Sequence, residues 1–330
     1  MSDRYRAWRN RPLRASDVAD TPSRRRRRGA LRRAACLCSP VVGVAVVAAL
    51  GLSVPVSGAE GSRHTARPAL TIDGAKIYVD QALAKQVPAT VRKTGLKDIS
   101  YNDTPPDEFV SGGALQGQEV DMGRAVAAVL GLTWHATASG AFTTFIPSLQ
   151  DGRFNTSFTS FIVTPARVKV INIVSIYAVG TGFAAKPGSG VKPVKNALDL
   201  CGDSVAVIEA SAYITYMNGI SAQCKKAGKP SLSVHTFPSE AAAELAVEDG
   251  RDQLYSSTAT GIAYIIHQTH KLVLEPFDLK PQPEGAGVTK GKLGAVIADA
   301  VNVLIRTGAY HTIMHRWGET AFMLKHSINY

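Results

Sequence analysis

Cysteine is scarce in this 330-residue chain, with four in all, and two of them, Cys36 and Cys38, fall in its N-terminal segment. Only Cys201 and Cys224 remain for the rest, with no CxxC spacing and no second pair, which excludes a cysteine-built zinc site. Acid is nearly missing from the first 59 residues, where Asp3, Asp17 and Asp20 face 12 Arg. The formal charge of +11 therefore sits in that segment: the remainder carries 25 Lys and Arg against 23 Asp and Glu, too even for a nucleic-acid-binding surface. Long apolar runs are absent as well. The run from Val41 to Leu52 is 12 residues long, short of the roughly 20 needed to span a bilayer. No Gly-x-Ser-x-Gly, HExxH or phosphate-loop pattern occurs, so the local signatures of three large enzyme classes are missing.

What the first 59 residues do have is the layout of an export signal. A basic stretch ends in Arg24 to Arg28 and Arg32-Arg33, the apolar run follows, and Val56-Ser57-Gly58-Ala59 offers a cleavage site after Ala59. An uncleaved anchor is the alternative, and the arginine pairs also fit a twin-arginine signal. Cys36 and Cys38 precede the apolar run, where a lipid-modified cysteine would follow it. In an exported chain the two remaining cysteines, Cys201 and Cys224, point to a structural disulfide. Residues 60–75 then read as a small, polar linker.

Beyond the linker, candidate strands alternate with short helices. Gly117 to Asp121 opens a helix that Gly131 ends, Ser239 caps a helix that Gly250 stops, and Leu293 to Ile305 is strongly helical up to Gly308. Such alternation predicts α/β layers with largely parallel sheets. The length suits two lobes, 76–180 with 276–330 and 181–275, with Tyr177 to Ala185 crossing between them.

The stretch Ala141–Arg167 concentrates the chemistry. It reads as a loop carrying Phe142, a short helix through Leu149, a strand, and a polar turn at Thr159-Ser160 leading to Thr164-Pro165-Ala166-Arg167; an apolar β-rich run, Val168 to Val174, comes next. A guanidinium offers parallel N–H donors to a carboxylate, and short hydroxyls add more beside it. The constellation suits a small anion under an aromatic lid, although each residue taken singly is also an ordinary core or surface position.

The order of these pieces resembles the extracytoplasmic solute-binding proteins of amino-acid ABC transporters. The resemblance rests on Pro106-Asp107-Glu108-Phe109, Gly117-Gln118-Glu119-Val120-Asp121, Asp151-Gly152-Arg153-Phe154, Ser160 to Arg167, Asp199-Leu200-Cys201-Gly202, Glu248-Asp249-Gly250-Arg251 and Gly308-Ala309-Tyr310 with Trp317-Gly318. It implies a periplasmic-binding-protein-like α/β fold, two lobes on a two-strand hinge with the ligand cleft between them. It also implies an extracytoplasmic monomer that needs no cofactor and hands a small carboxylate or amino acid to a membrane permease. Carried over by position, Arg167 clamps the ligand carboxylate, Thr159 and Ser160 donate to it, Phe142 stacks on the ligand and Ser211 approaches from the other lobe. The two cysteines match a disulfide-bearing branch.

Three positions depart from that pattern. Thr104 replaces a second stacking aromatic, Glu209 replaces a common glutamine, and Thr258 stands where an aspartate usually pairs with the ligand ammonium. Glu209 either takes over the ammonium or binds a cationic ligand side chain, or else it faces solvent. Two other readings use the same fold: a sensor subunit, which sequence does not separate from an importer, and a dehydratase or hydrolase, which needs an acid or base in the cleft. His267 with His270 and His311 with His315 have helical spacing suited to a metal but no third ligand, and read as structural histidines.

Overall fold

A computed structural model describes residues 67–330, so the expected export signal and the first part of the expected linker lie outside the described residues. The alternating strands assemble into two five-stranded sheets, one per lobe. In the first, the order is Trp134–Ser139, Leu96–Tyr101, Thr156–Ile162, Gln282–Val288, Asn172–Val179. In the second it is Ser233–Phe237, Ser204–Ile208, Leu254–Thr258, Thr181–Ala185, Val273–Leu274.

Both sheets are mixed, which corrects the expectation of largely parallel ones. Leu96–Tyr101 and Ser204–Ile208 run parallel to both of their neighbours. Gln282–Val288 and Thr181–Ala185 run antiparallel to both of theirs. The cause is the hinge. The chain leaves the first lobe through Asn172–Val179 and Thr181–Ala185 and returns from Val273–Leu274 to Gln282–Val288, so returning strands pair against outgoing ones.

Gly180 sits where the two hinge strands touch. Leu279 N donates to Thr181 O at 2.9 Å, and a Cβ on residue 180 would meet Leu279 O at 2.5 Å. Only glycine allows that approach.

The helices start and stop on the residues that the sequence marks. Ser239 Oγ accepts from Ala242 N at 3.1 Å, and Gly308 ends helix Leu293–Thr307 in the left-handed conformation at φ 81°. That helix buries Val296, Ile297, Ala300, Val301 and Leu304 on one face, at a spacing of three and four residues. Each large aliphatic side chain so buried contributes roughly 1.5–3 kcal/mol of transfer free energy.

Two segments differ from expectation. Leu70–Ile72 and Ala75–Ile77 pair as an antiparallel hairpin with Ile72 and Ile77 in the core, where a linker through residue 75 is expected; two buried isoleucines outweigh the polar composition around them. Residues 168–170 belong to helix Pro165–Val170, and the strand begins only at Asn172. There Thr164 caps and Pro165 fills the first turn, a start signal that overrides β-branched propensity. Cys201 is bridged to Cys224, tying the short turn Ala197–Leu200 to helix Tyr213–Lys226.

Candidate functional site

Helix Pro165–Val170 exists because Thr164 Oγ1 accepts from Arg167 N at 3.3 Å and because proline tolerates the first helical position. This cap sets the guanidinium at the mouth of the first lobe. Arg167 is 7% exposed. Its Nη1 donates to Ile162 O at 3.1 Å and its Nη2 to Ala210 O, in the second lobe, at 3.2 Å. The group lies 5.7 Å from the Phe142 ring centre and 5.2 Å from that of Phe161. Two of its five N–H donors are thereby used and three remain. No carboxylate among the described residues forms an ion pair with it. Burial pulls its pKa below the ordinary arginine value, against the opposing effect of Tyr213 and Glu284.

Beside it lies a cavity of about 40 Å³, room for roughly three water-sized bodies. Phe142, Thr159, Ser160, Arg167, Ser211 and Thr258 all line it, as does Thr104. Glu209 does not: its N donates to Phe237 O at 2.9 Å, and the side chain lies outside the cavity lining.

Thr159 and Ser160 are successive residues inside strand Thr156–Ile162, not a turn after it. Successive strand residues normally face opposite sides. Here the register slips: Gly285 pairs with Phe161 but Gly287 with Ser157, leaving extra residues on the strand that carries Thr159 and Ser160. This bulge turns both hydroxyls to the cavity. Gly285, at φ 159°, packs against the other neighbouring strand, Asn172–Val179, where a Cβ would collide with Val174 O.

The four hydroxyls are not equivalent. Ser211 Oγ donates to Ile208 O at 2.6 Å, and Ser160 Oγ donates to Glu108 Oε2 at 3.3 Å while accepting from Tyr177 OH at 2.8 Å. Their protons are spent. Thr159 Oγ1 accepts from Tyr101 N at 3.1 Å and keeps its own proton to donate. Thr258 Oγ1 accepts from Gly261 N at 3.1 Å and lies 3.4 Å from Thr260 Oγ1.

Sequence reasoning misses the apolar lining residues Ile162, Ile208 and Ala212 and four lining residues with polar groups: Tyr101, Glu108, Tyr213 and Glu240. Tyr101 packs edge-on to Phe142, with ring centres 5.8 Å apart, and its buried hydroxyl lies beside the Glu240 backbone N–H. Glu240 is 5% exposed, and its carboxylate accepts from Tyr255 OH at 2.6 Å and from Ser257 Oγ at 3.1 Å. Burial, opposed by those two hydrogen bonds, holds its pKa at about 7. Glu108 lies near Asp107, Glu119 and Glu284, all buried. Burial first, then the Asp107 and Glu119 charges, push Glu108 well above the ordinary carboxyl range. Among the described residues no group of three or more histidine, cysteine or carboxylate side chains is arranged to hold a metal.

Two contacts tie the lobes together across the cavity. One is Arg167 to Ala210 O. The other is Asp103 Oδ2, in the first lobe, accepting from Ala241 N at 2.9 Å at the start of helix Glu240–Glu248 in the second.

Residues 97–320 match the model for bacterial extracellular solute-binding proteins, family 3. Among solved structures, an ancestral arginine-binding protein bound to arginine is 23% identical with a TM-score of 0.61, covering 67% of this chain and 97% of that one. The substrate binding protein of an amino acid ABC transporter is 19% identical with a TM-score of 0.59, over 67% and 98% of the two chains. The ancestral amino acid-binding protein AncCDT-1, a precursor of cyclohexadienyl dehydratase, is 22% identical with a TM-score of 0.56, over 69% and 97%. No curated protein is similar enough to match the chain.

Proposed function

Because the chain belongs to the bacterial extracellular solute-binding proteins of family 3, we propose that it captures an amino acid or related small carboxylate between its lobes, outside the cytoplasm, and delivers it as a monomer to the permease of an ABC importer. The observation that carries the reading is Arg167: a nine-tenths-buried guanidinium with three free donors and no carboxylate of its own. A buried charge without a partner costs several kcal/mol, and an anionic ligand supplies the missing partner. Arg167 clamps that anion, Thr159 donates from one side, and Phe142 closes the apolar face. Because Arg167 reaches Ala210 O across the cleft, the clamped state is also the closed state, the form a permease recognises.

A thermal-shift screen of the twenty amino acids and small carboxylates tests this. Saturation to 100 times Kd stabilises a protein by about 2.7 kcal/mol, and the hit should lose that shift in Arg167→Ala. Retention of full affinity by the variant refutes the assignment. Catalysis forms no part of the proposal, and the bound compound should be recovered chemically unchanged.

A further inference from the structure

Resting on that reading, we propose that the ligand is a zwitterion whose ammonium is received by Glu240, at the start of helix Glu240–Glu248, in place of the aspartate that strand Leu254–Thr258 lacks at its end. The end of that strand carries Ser257 and Thr258. Thr258 is a neutral hydroxyl whose Oγ1 already accepts from Gly261 N at 3.1 Å, so it offers a buried ammonium no counter-charge. Ser257 donates its proton to Glu240 Oε1 at 3.1 Å, and Tyr255 OH donates to Oε2 at 2.6 Å. The strand thus orients a carboxylate that comes from the neighbouring helix. Each Glu240 oxygen keeps a lone pair free, and the side chain lines the same cavity as Arg167.

Glu108 is the other acid on the cavity wall, and it is the poorer partner. It receives a single side-chain donor, Ser160 at 3.3 Å, and shares its surroundings with Asp107, Glu119 and Glu284, which favour its neutral form. Glu240 has two donors holding its charged form. A cation and an anion lining the same cavity match a ligand that carries both charges, and an amine-free acid leaves Glu240 buried without a counter-ion.

The test uses four pairs differing only in ammonium against hydroxyl: glycine and glycolate, L-alanine and L-lactate, L-glutamate and L-2-hydroxyglutarate, L-arginine and its 2-hydroxy analogue. Affinities of the full-length protein are measured by calorimetry. We expect the wild type to favour the amino member of its best pair by on the order of 30-fold or more, the loss that follows neutralising one partner of a buried charge pair. Glu240→Gln should erase the preference while keeping the hydroxy acid. If the wild type prefers an amino acid and Glu240→Gln leaves the ratio intact, or if the wild type binds the hydroxy acid equally well, the inference fails and the solute-binding reading stands. If none of the eight compounds binds, both fail.

Should Glu240→Gln not fold, the wild-type ratio is followed from pH 8.5 to 5. The groups facing Glu240 are Tyr255 on the strand, Asp103 and Tyr101 in the first lobe, Tyr213, and Glu244 on its own helix. The amino preference should shrink as pH falls through about 7, the value burial imposes on Glu240. A ratio constant over that range overturns the inference.

Discussion

Glu240 makes the unliganded protein less stable at pH 8 than at pH 5. Its carboxyl titrates near 4.5 when unfolded and at about 7 in the folded protein, raised chiefly by burial. Below about 4.5 it is protonated in both states and costs nothing. As pH rises toward 7 the unfolded chain ionises freely while the folded chain does not, so stability is lost progressively and levels off above the folded value. At 1.36 kcal/mol per unit, the gap amounts to roughly 3 kcal/mol, most of it between pH 5 and 8. The buried Asp107, Glu108, Glu119, Glu284 and Glu319 are raised as well, each chiefly by burial, and act with the same sign. For a domain of this size 1 kcal/mol is about 2–4 °C, so Glu240 alone should lower Tm by about 5–10 °C across that range. Differential scanning calorimetry of ligand-free protein reads the slope, and Glu240→Gln should flatten it by that amount. A Tm that holds or climbs from pH 5 to 8 would falsify the reasoning. Ligand-induced stabilisation should run the other way, growing with pH as Glu240 ionises.

Three further outcomes are expected. Gly180→Ala places a Cβ against Leu279 O and should cost about 1–3 kcal/mol by overpacking the hinge; unchanged Tm and unchanged ligand affinity would show that the crossing is slack. Asp103→Ala removes the acceptor for Ala241 N across the cleft and should weaken ligand binding by about 0.5–2 kcal/mol, the usual worth of a helix cap, with calorimetry as the readout and full affinity as the contrary result. Cys201→Ser should lower stability by about 3 kcal/mol in the chain-entropy model, and the mass of the wild type should rise by two hydrogen atoms on reduction; two free thiols before reduction would contradict the bridge.

The fold was legible where local signals were strong. Ser239, Gly250 and Gly308 mark their helix ends in the sequence, and the structure uses all three for that purpose. The sheets' mixed character was not legible, because strand direction depends on which strand returns through the hinge, and no local pattern of Gln282–Val288 encodes its antiparallel neighbours. The same holds for Thr159 and Ser160. Their hydroxyls read as a polar pair in a turn after a strand, whereas they face the cavity through a register slip against Gln282–Val288, more than a hundred residues away.

The acidic wall of the cavity escaped for a related reason. Glu240 follows a serine cap, where an acid is explained by the partial positive charge of the helix start, so nothing in its neighbourhood hints at a ligand. Glu209 looked better placed because it ends a strand in the loop where α/β sheets bind ligands. What separates them is three-dimensional: Tyr255 and Ser257 aim Glu240 into the cleft, and Glu209 lies outside the cavity lining. A replaced aspartate is therefore weak grounds for deciding that a site has lost its negative charge. The requirement is for an acceptor at one point in space, and any backbone position that reaches the point satisfies it, provided that neighbouring donors hold the carboxylate in its ionised form.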